Sequence, residues 1–263
     1  MNIYIELNKI MEYVEENLEE KIEISSIAKM LGMNEYTFQR VFAVIANISF
    51  SEYIRNRRLS NAGQEMFLNT DKIVDIAVKY GYNNATAFSR AFERFHGIKP
   101  SEVRKNPERL KMHTRLHFNE QYEHNKKFDY KIITREEIIL YGTYVITDNE
   151  KIRKDAPEFY ERNSKQYGDA PYGMTEYHDR ERTKVKAYWV MYEENLEGRI
   201  KKVIPQSKWI QMRTNSQEAE EIQMTSDSFY EEFLANSKYN YKDLPELEYY
   251  HDGVTDFLIA IED

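Results

Sequence analysis

The chain has 263 residues, 41% of them hydrophobic, enough for two domains with cores of their own, which excludes disorder throughout. It contains no cysteine, which excludes disulfides and thiolate metal ligands, and no apolar run near the ~20 residues of a membrane-spanning helix. The net charge of -8 argues against a nucleic-acid partner until it is divided: residues 1–107 hold 14 basic and 14 acidic residues, so the whole negative excess lies beyond them.

The start, with Glu6, Glu12, Glu15 and Glu16, lacks the basic flank and apolar core of a signal peptide, so a cytoplasmic chain with no membrane partner is expected. Two similar stretches then recur at an offset of about fifty residues. Ile24-Ser-Ser-Ile27-Ala28-Lys-Met-Leu-Gly32 returns as Ile73-Val-Asp-Ile76-Ala77-Val-Lys-Tyr-Gly81, and Phe38-Gln-Arg40-Val-Phe42 returns as Phe88-Ser-Arg90-Ala-Phe92. Each copy predicts a short helix stopped at a glycine, a tight turn and a second helix. In the second helices Phe38, Val41, Phe42 and Ile45, then Phe88, Ala91, Phe92 and Phe95, fall at helical spacing and face a core. The opposite faces carry Tyr36, Gln39 and Arg40 in one copy and Thr86, Ser89 and Arg90 in the other, side chains that reach base edges and phosphates. Between the copies, Ser51 is placed to cap a helix over about 52–67, with Arg55, Arg57 and Arg58 available to phosphates.

The second copy, continuing through Ala87-Phe-Ser-Arg-Ala-Phe-Glu-Arg-Phe-His-Gly-Ile-Lys-Pro-Ser-Glu, resembles the AraC/XylS signature over nearly its full length. The resemblance covers about residues 3–106. It implies an all-α domain of seven helices over 1–107, the first at 3–17, with helix-turn-helix units at about 24–45 and 73–96 and double-stranded DNA as partner. Carried over by position, it implies that Tyr36, Gln39 and Arg40 in the first unit and Thr86 and Arg90 in the second contact bases or phosphates. Ala85 and Ala87 stand where some members are polar, which implies weaker readout by the second unit. A lone arginine of this kind is ordinarily solvated or paired with a nearby glutamate. Its recurrence at matching places in a duplicated motif favours DNA.

Pro107 and the charged run 108–127 mark a linker. His113 and His117 are spaced i, i+4 within it, where a helix would place them on one face with Glu120. Without an HExxH pattern or a firm third ligand, no metal and no cofactor is expected.

From Phe128 the pattern changes to short strands, at 130–133, 138–146, 185–192, 209–212, 247–250 and 257–261. Helices fit 151–167 and 226–235, the latter capped by Ser226 with Phe229, Phe233 and Leu234 buried, which gives an α+β plan. Residues 108–263 hold both tryptophans and 15 of the 21 tyrosines, so this part is aromatic as well as acidic. Aromatic walls around a carboxylate suit an organic cation, although a tyrosine-rich sheet packed on helices has the same composition.

Tyr172-Gly-Met-Thr, Tyr188-Trp-Val-Met-Tyr192, Ile204-Pro-Gln-Ser-Lys-Trp209 and Asp243-Leu-Pro-Glu-Leu-Glu248-Tyr-Tyr resemble the GyrI-like effector-binding domain over about 128–263. That resemblance implies two β-α-β-β modules with a ligand groove between them, Glu248 as pocket carboxylate, and Tyr172, Tyr188, Trp209 and Tyr250 as walls. Strand alternation puts Glu248 on one face with Glu246 and Tyr250. The whole reads as a multidomain transcription regulator, an all-α tandem helix-turn-helix domain followed by an α+β domain. In it a cationic or amphipathic small molecule governs DNA binding or contact with RNA polymerase. Two alternatives stay open at this point, a second domain that docks a protein and a GyrI-like hydrolase fused to a DNA-binding domain. No Ser/His/Asp order is present, so no enzyme is expected.

Overall fold

The computed structural model describes residues 2–119, 129–148, 151–178, 185–195, 197–233, 237 and 239–262. The chain divides into two compact units, Met1–Gly32 with Ile48–Tyr122, and Met33–Asn47 with Glu123–Asp263. The division interrupts the first repeat: its second helix belongs with the C-terminal part of the chain.

The first unit contains α1 (Ile3–Glu16), α2 (Ile24–Met30), α4 (Phe50–Leu68), α5 (Ile73–Lys79) and α6 (Ala85–His96), and α3 (Glu35–Ala46) lies in the second. Gly32 and Gly81 adopt positive φ of 66° and 82°, the left-handed turn that ends the first helix of each repeat. α4 starts two residues earlier than expected. Ser49, not Ser51, caps it by accepting from the Glu52 amide at 3.1 Å, because a start at Phe50 turns Phe50, Tyr53 and Ile54 together into the interior. Leu59, Ala62 and Met66 of α4 pack with Ile76 and Ala77 of α5 and Phe88 and Phe92 of α6.

Two of the arginines expected to reach phosphates are engaged elsewhere. Arg57 is paired with Glu15 at 2.6 Å, and Arg58 donates to the carbonyls of Leu18 and Glu20, while the Arg55 side chain stays 49% exposed. Seven helices were implied; the described residues up to 109 hold six α-helices and short 3₁₀ turns at Pro100–Glu102 and Pro107–Arg109.

The run expected as a free linker is extended and bonded to this unit as far as Phe118. His113 N donates to Ser60 Oγ at 3.0 Å, Phe118 N to Asn8 Oδ1 at 2.8 Å, and Asn8 Nδ2 to Phe118 O at 3.0 Å. His113 and His117 therefore share no helix face, and Glu120 lies outside the described residues. No helix among the described residues is long and apolar enough to cross a membrane.

The second unit is built on an antiparallel sheet of β1 (Tyr130–Arg135), β2 (Ile138–Asp148), β3 (Tyr172–Tyr177), β4 (Val185–Tyr192), β5 (Ile200–Ile204), β6 (Ser207–Arg213), β7 (Glu246–His251) and β8 (Val254–Ile261). Their order is β1-β6-β8-β7-β3-β4-β2-β5. With α7 (Ile152–Tyr167) and α8 (Ala219–Ser228), β2-α7-β3-β4 and β6-α8-β7-β8 form the two expected β-α-β-β modules, joined where β3 pairs β7. Each module is preceded by one further strand that pairs in the other module, β1 with β6 and β5 with β2.

One face of the sheet supplies a single core in which Ile204 of β5 and Trp209 of β6 both take part. These strands stand six places apart in the order, roughly 29 Å in a flat sheet at ~4.8 Å per strand, so a shared core requires the sheet to curl. On the other face, Ala156 and Phe159 of α7 cover Tyr188, Val190 and Tyr192.

Pro157 inside α7 cannot donate to the carbonyl of Arg153; Gln223 of α8 does so instead at 3.0 Å, which ties the two helices together. The helix expected at 226–235 lies earlier in the chain. Ser226 is inside α8 rather than at its cap, and the chain widens into a π turn at Phe229–Phe233 with Phe229 buried. Leu234 and Ala235 lie outside the described residues.

Candidate functional site

A cavity of about 910 Å³ opens on the helix-covered face of the second unit. Its walls come from β3, β4, β7, α7 and α8, from Arg40, Ala43 and Val44 of α3, and from Asn47 at the end of that helix. Strand alternation selects the lining: Glu246, Glu248 and Tyr250 of β7 face the cavity, while Leu247 and Tyr249 turn to the sheet core. On the neighbouring strands Thr175, Tyr177, Lys186 and Tyr188 face the same way.

Glu248 is half-buried, and its Oε2 accepts from the Tyr250 hydroxyl and from the Tyr188 hydroxyl at 3.3 Å; the two hydroxyls are 3.1 Å apart. Burial lifts its carboxyl above the usual carboxylate value, the Tyr250 and Tyr188 hydrogen bonds pull it partly back, and the charge of Glu246 adds to the rise. Burial and the same carboxylate push Tyr188 and Tyr250 well above the ordinary phenol value. Gly173 makes room for this trio. A Cβ there would lie 2.6 Å from Glu248 Oε2 and 2.7 Å and 2.8 Å from the two hydroxyls, so any side chain would force the trio to shift.

The second carboxylate has a different partner. Glu246 is ion-paired with Arg40, and both are nearly sealed from water, 7% and 4% exposed. The Arg40 guanidinium also donates to Tyr36 at 2.9 Å, to Tyr177 at 3.1 Å and to Tyr230. Its central carbon lies 4.6 Å from the ring centres of both Tyr177 and Tyr230. Burial opposes its charge, but Glu246 and the three phenols outweigh that, and Arg40 stays a cation.

The start of α3 is held as well. Asn34 caps the helix through the Thr37 amide at 2.7 Å. Its side-chain amide donates to the Tyr241 carbonyl at 3.0 Å and to Glu262 at 2.7 Å, and Thr37 Oγ1 accepts from the Tyr241 amide at 2.9 Å.

Of the five residues expected to line a ligand pocket, Glu248, Tyr188 and Tyr250 meet at the cavity. Tyr172 and Trp209 do not. Both belong to the opposite face of the sheet, where Trp209 is wholly buried and Tyr172 stacks on Tyr249. Tyr172 precedes Gly173 on β3, so the alternation that aims Gly173 at Glu248 aims Tyr172 away. Glu246, Tyr177, Tyr230 and Gly173 were not anticipated as site residues. Glu246 was legible as the same-face neighbour of Glu248, and a glycine inside a strand signals a close approach. No periodicity pointed to Tyr230.

The five residues expected at DNA are placed unequally. Thr86 and Arg90 are exposed on α6. On α3, Tyr36 and Gln39 are half-buried and Arg40 is buried in the cavity wall, so the face expected to be open is covered.

Residues 27–106 match the family described as a helix-turn-helix domain, and residues 131–261 match the integron-associated effector binding protein family. Over 98 residues the chain is 33% identical to the HTH-type transcriptional activator AarP of Providencia stuartii, covering 37% of this chain and 73% of that protein. It is likewise 33% identical over 98 residues to the regulatory protein SoxS of Salmonella typhimurium, covering 37% and 92%. Among solved structures, an integron cassette protein of Vibrio cholerae aligns with 51% of this chain and 95% of its own, at 13% identity and a TM-score of 0.42.

Proposed function

Because the chain belongs to the AraC/XylS family of DNA-binding transcription regulators and carries a C-terminal effector-binding domain, we propose that its effector is an organic cation held in the cavity at Glu248. The observation that carries this reading is Glu248 itself. Its hydrogen bonds come from phenols, and no ion pair is found for it among the described residues. A desolvated carboxylate is destabilised until a cation joins it, and aromatic faces add ~0.5–2 kcal/mol each when water is excluded. The cavity volume falls within the ~300–1,000 Å³ of small-molecule sites. The domain is read as a sensor rather than a catalyst, since the hydroxyls at Glu248 are phenols driven away from the ionised, nucleophilic form. DNA contact is assigned to Tyr36, Gln39 and Arg40 of α3 and to Thr86 and Arg90 of α6, and the output followed is DNA affinity.

Trp189 and Trp209 belong to the core on the opposite face of the sheet, so calorimetry tests this reading better than tryptophan fluorescence. Benzyltrimethylammonium should bind the full-length chain saturably, and Glu248→Gln should weaken it by about tenfold or more, the scale of one charged contact. Equal affinity in the variant, or equal binding of an uncharged compound of the same shape, would refute the cation reading.

A further inference from the structure

Arg40 sits as a bound cation would sit. Its guanidinium lies over the rings of Tyr177 and Tyr230, is paired with Glu246 and is hydrogen-bonded to three phenol oxygens. The acceptors lie around its N–H groups, which suits a flat cation that donates hydrogen bonds rather than a quaternary one. The helix that supplies it is the second helix of the first helix-turn-helix. Tyr36, Arg40, Ala43 and Val44 follow one another at i, i+4, i+7 and i+8, a single stripe opposite Phe38, Val41 and Phe42. That stripe is the face a recognition helix turns to the major groove, and three of its four residues line the cavity. Arg40 cannot serve Glu246 and DNA together.

We infer that the Glu246–Tyr177–Tyr230 cage is a second cation subsite of the cavity, filled by the chain's own Arg40, and that an amidinium or guanidinium effector takes this place and frees α3 for DNA. The inference rests on the cation reading of the cavity and adds to it the ligand's chemical class and the route by which binding reaches DNA. The two carboxylates divide the work: Glu248 admits a cation, and Glu246 exchanges Arg40 for the ligand's N–H donors. A ligand shifts the balance only through its preference for the state with Arg40 released, and competition for one carboxylate supplies that preference.

The test uses the full-length chain and duplexes selected by it from a randomised pool, with DNA affinity read by fluorescence anisotropy and ligand binding by calorimetry. Benzamidine is the probe, and benzyltrimethylammonium is the cation without N–H donors. If about one molecule in ten has α3 free at rest, benzamidine raises DNA affinity up to about tenfold in the wild type. Benzyltrimethylammonium binds without that rise. Glu246→Gln, which leaves Arg40 without its anchor, shows the rise with no ligand and no further response to benzamidine. Tyr230→Phe retains the ion pair and gives a smaller rise in the same direction, which covers the case in which circular dichroism shows the first variant misfolded. Benzamidine that binds in the calorimeter while DNA affinity stays flat in the wild type and both variants overturns the Arg40 coupling and leaves the cavity reading standing. Absence of saturable binding by either cation overturns the cavity reading itself.

Discussion

Glu246 and Glu248 are two residues apart on one strand, face one cavity and differ in their partners. Glu246 has a guanidinium, whereas Glu248 has phenol hydroxyls and a carboxyl raised by burial. A folded value above the unfolded one means that Glu248 contributes its stability fully below the ordinary carboxylate value and loses it as pH rises through the raised one. Glu248→Gln should therefore raise the melting temperature at neutral pH, and the gain should vanish in acid. A cation favours the ionised form, so its binding should release protons just above the ordinary carboxylate range, seen as a buffer-dependent enthalpy that disappears in Glu248→Gln. Among the phenols and cations lining the cavity, Tyr188 and Tyr250 are pushed far up, Tyr160 of α7 is raised to about 12, and Arg40 remains charged; loss of the signal in Glu248→Gln separates it from the cavity's other carboxylates, Glu246, Glu161, Asp169, Asp227 and Asp252. A buffer-independent enthalpy would assign the bound cation to another carboxylate. The family resemblance singled out Glu248, and alternation within β7 alone set its shared face with Glu246 and Tyr250. Tyr172 and Trp209 were misplaced because their facing depends on strands whose pairing and curl are set by residues far along the chain.

Elements, unlike residues, were legible where a period repeats. The paired helices of both repeats, and strands such as β4 and β8, follow their apolar patterns. β3 was missed because Gly173 and Glu176 break its pattern, and both serve its surroundings, Gly173 below Glu248 and Glu176 as partner of Lys202 at 2.8 Å. β5 was missed because Lys201 and Lys202 interrupt a short edge strand. α3 and α6 carry the same motif, so sequence similarity could not show that one would be covered and the other open. The side chains on α3 suggested the stronger base reader, yet it is α6 that keeps Thr86 and Arg90 exposed. Arg90→Ala should accordingly lose ~1–3 kcal/mol of DNA affinity both with and without ligand, because α6 does not depend on the cavity. Anisotropy on a selected duplex measures this, and wild-type affinity in Arg90→Ala would remove α6 from the DNA contacts.

For the molecule as a whole, the structural division cuts across the sequence division. Composition and resemblance place a boundary near residue 107, but the described residues stay with the helical unit as far as Phe118, while α3 is counted with the C-terminal unit. One element thus belongs by sequence to the DNA-binding domain and by packing to the effector-binding domain, which is what the proposed Arg40 coupling requires. Coupling through a shared element obeys reciprocity: if benzamidine raises DNA affinity by some factor, DNA must raise benzamidine affinity by the same factor. The two ratios should agree when the ligand is titrated with and without duplex and the duplex with and without ligand. In Glu246→Gln both should fall to about one together, because Arg40 has no carboxylate to yield. Equal ratios that survive in Glu246→Gln would show the two sites coupled by some element other than the Arg40 cage.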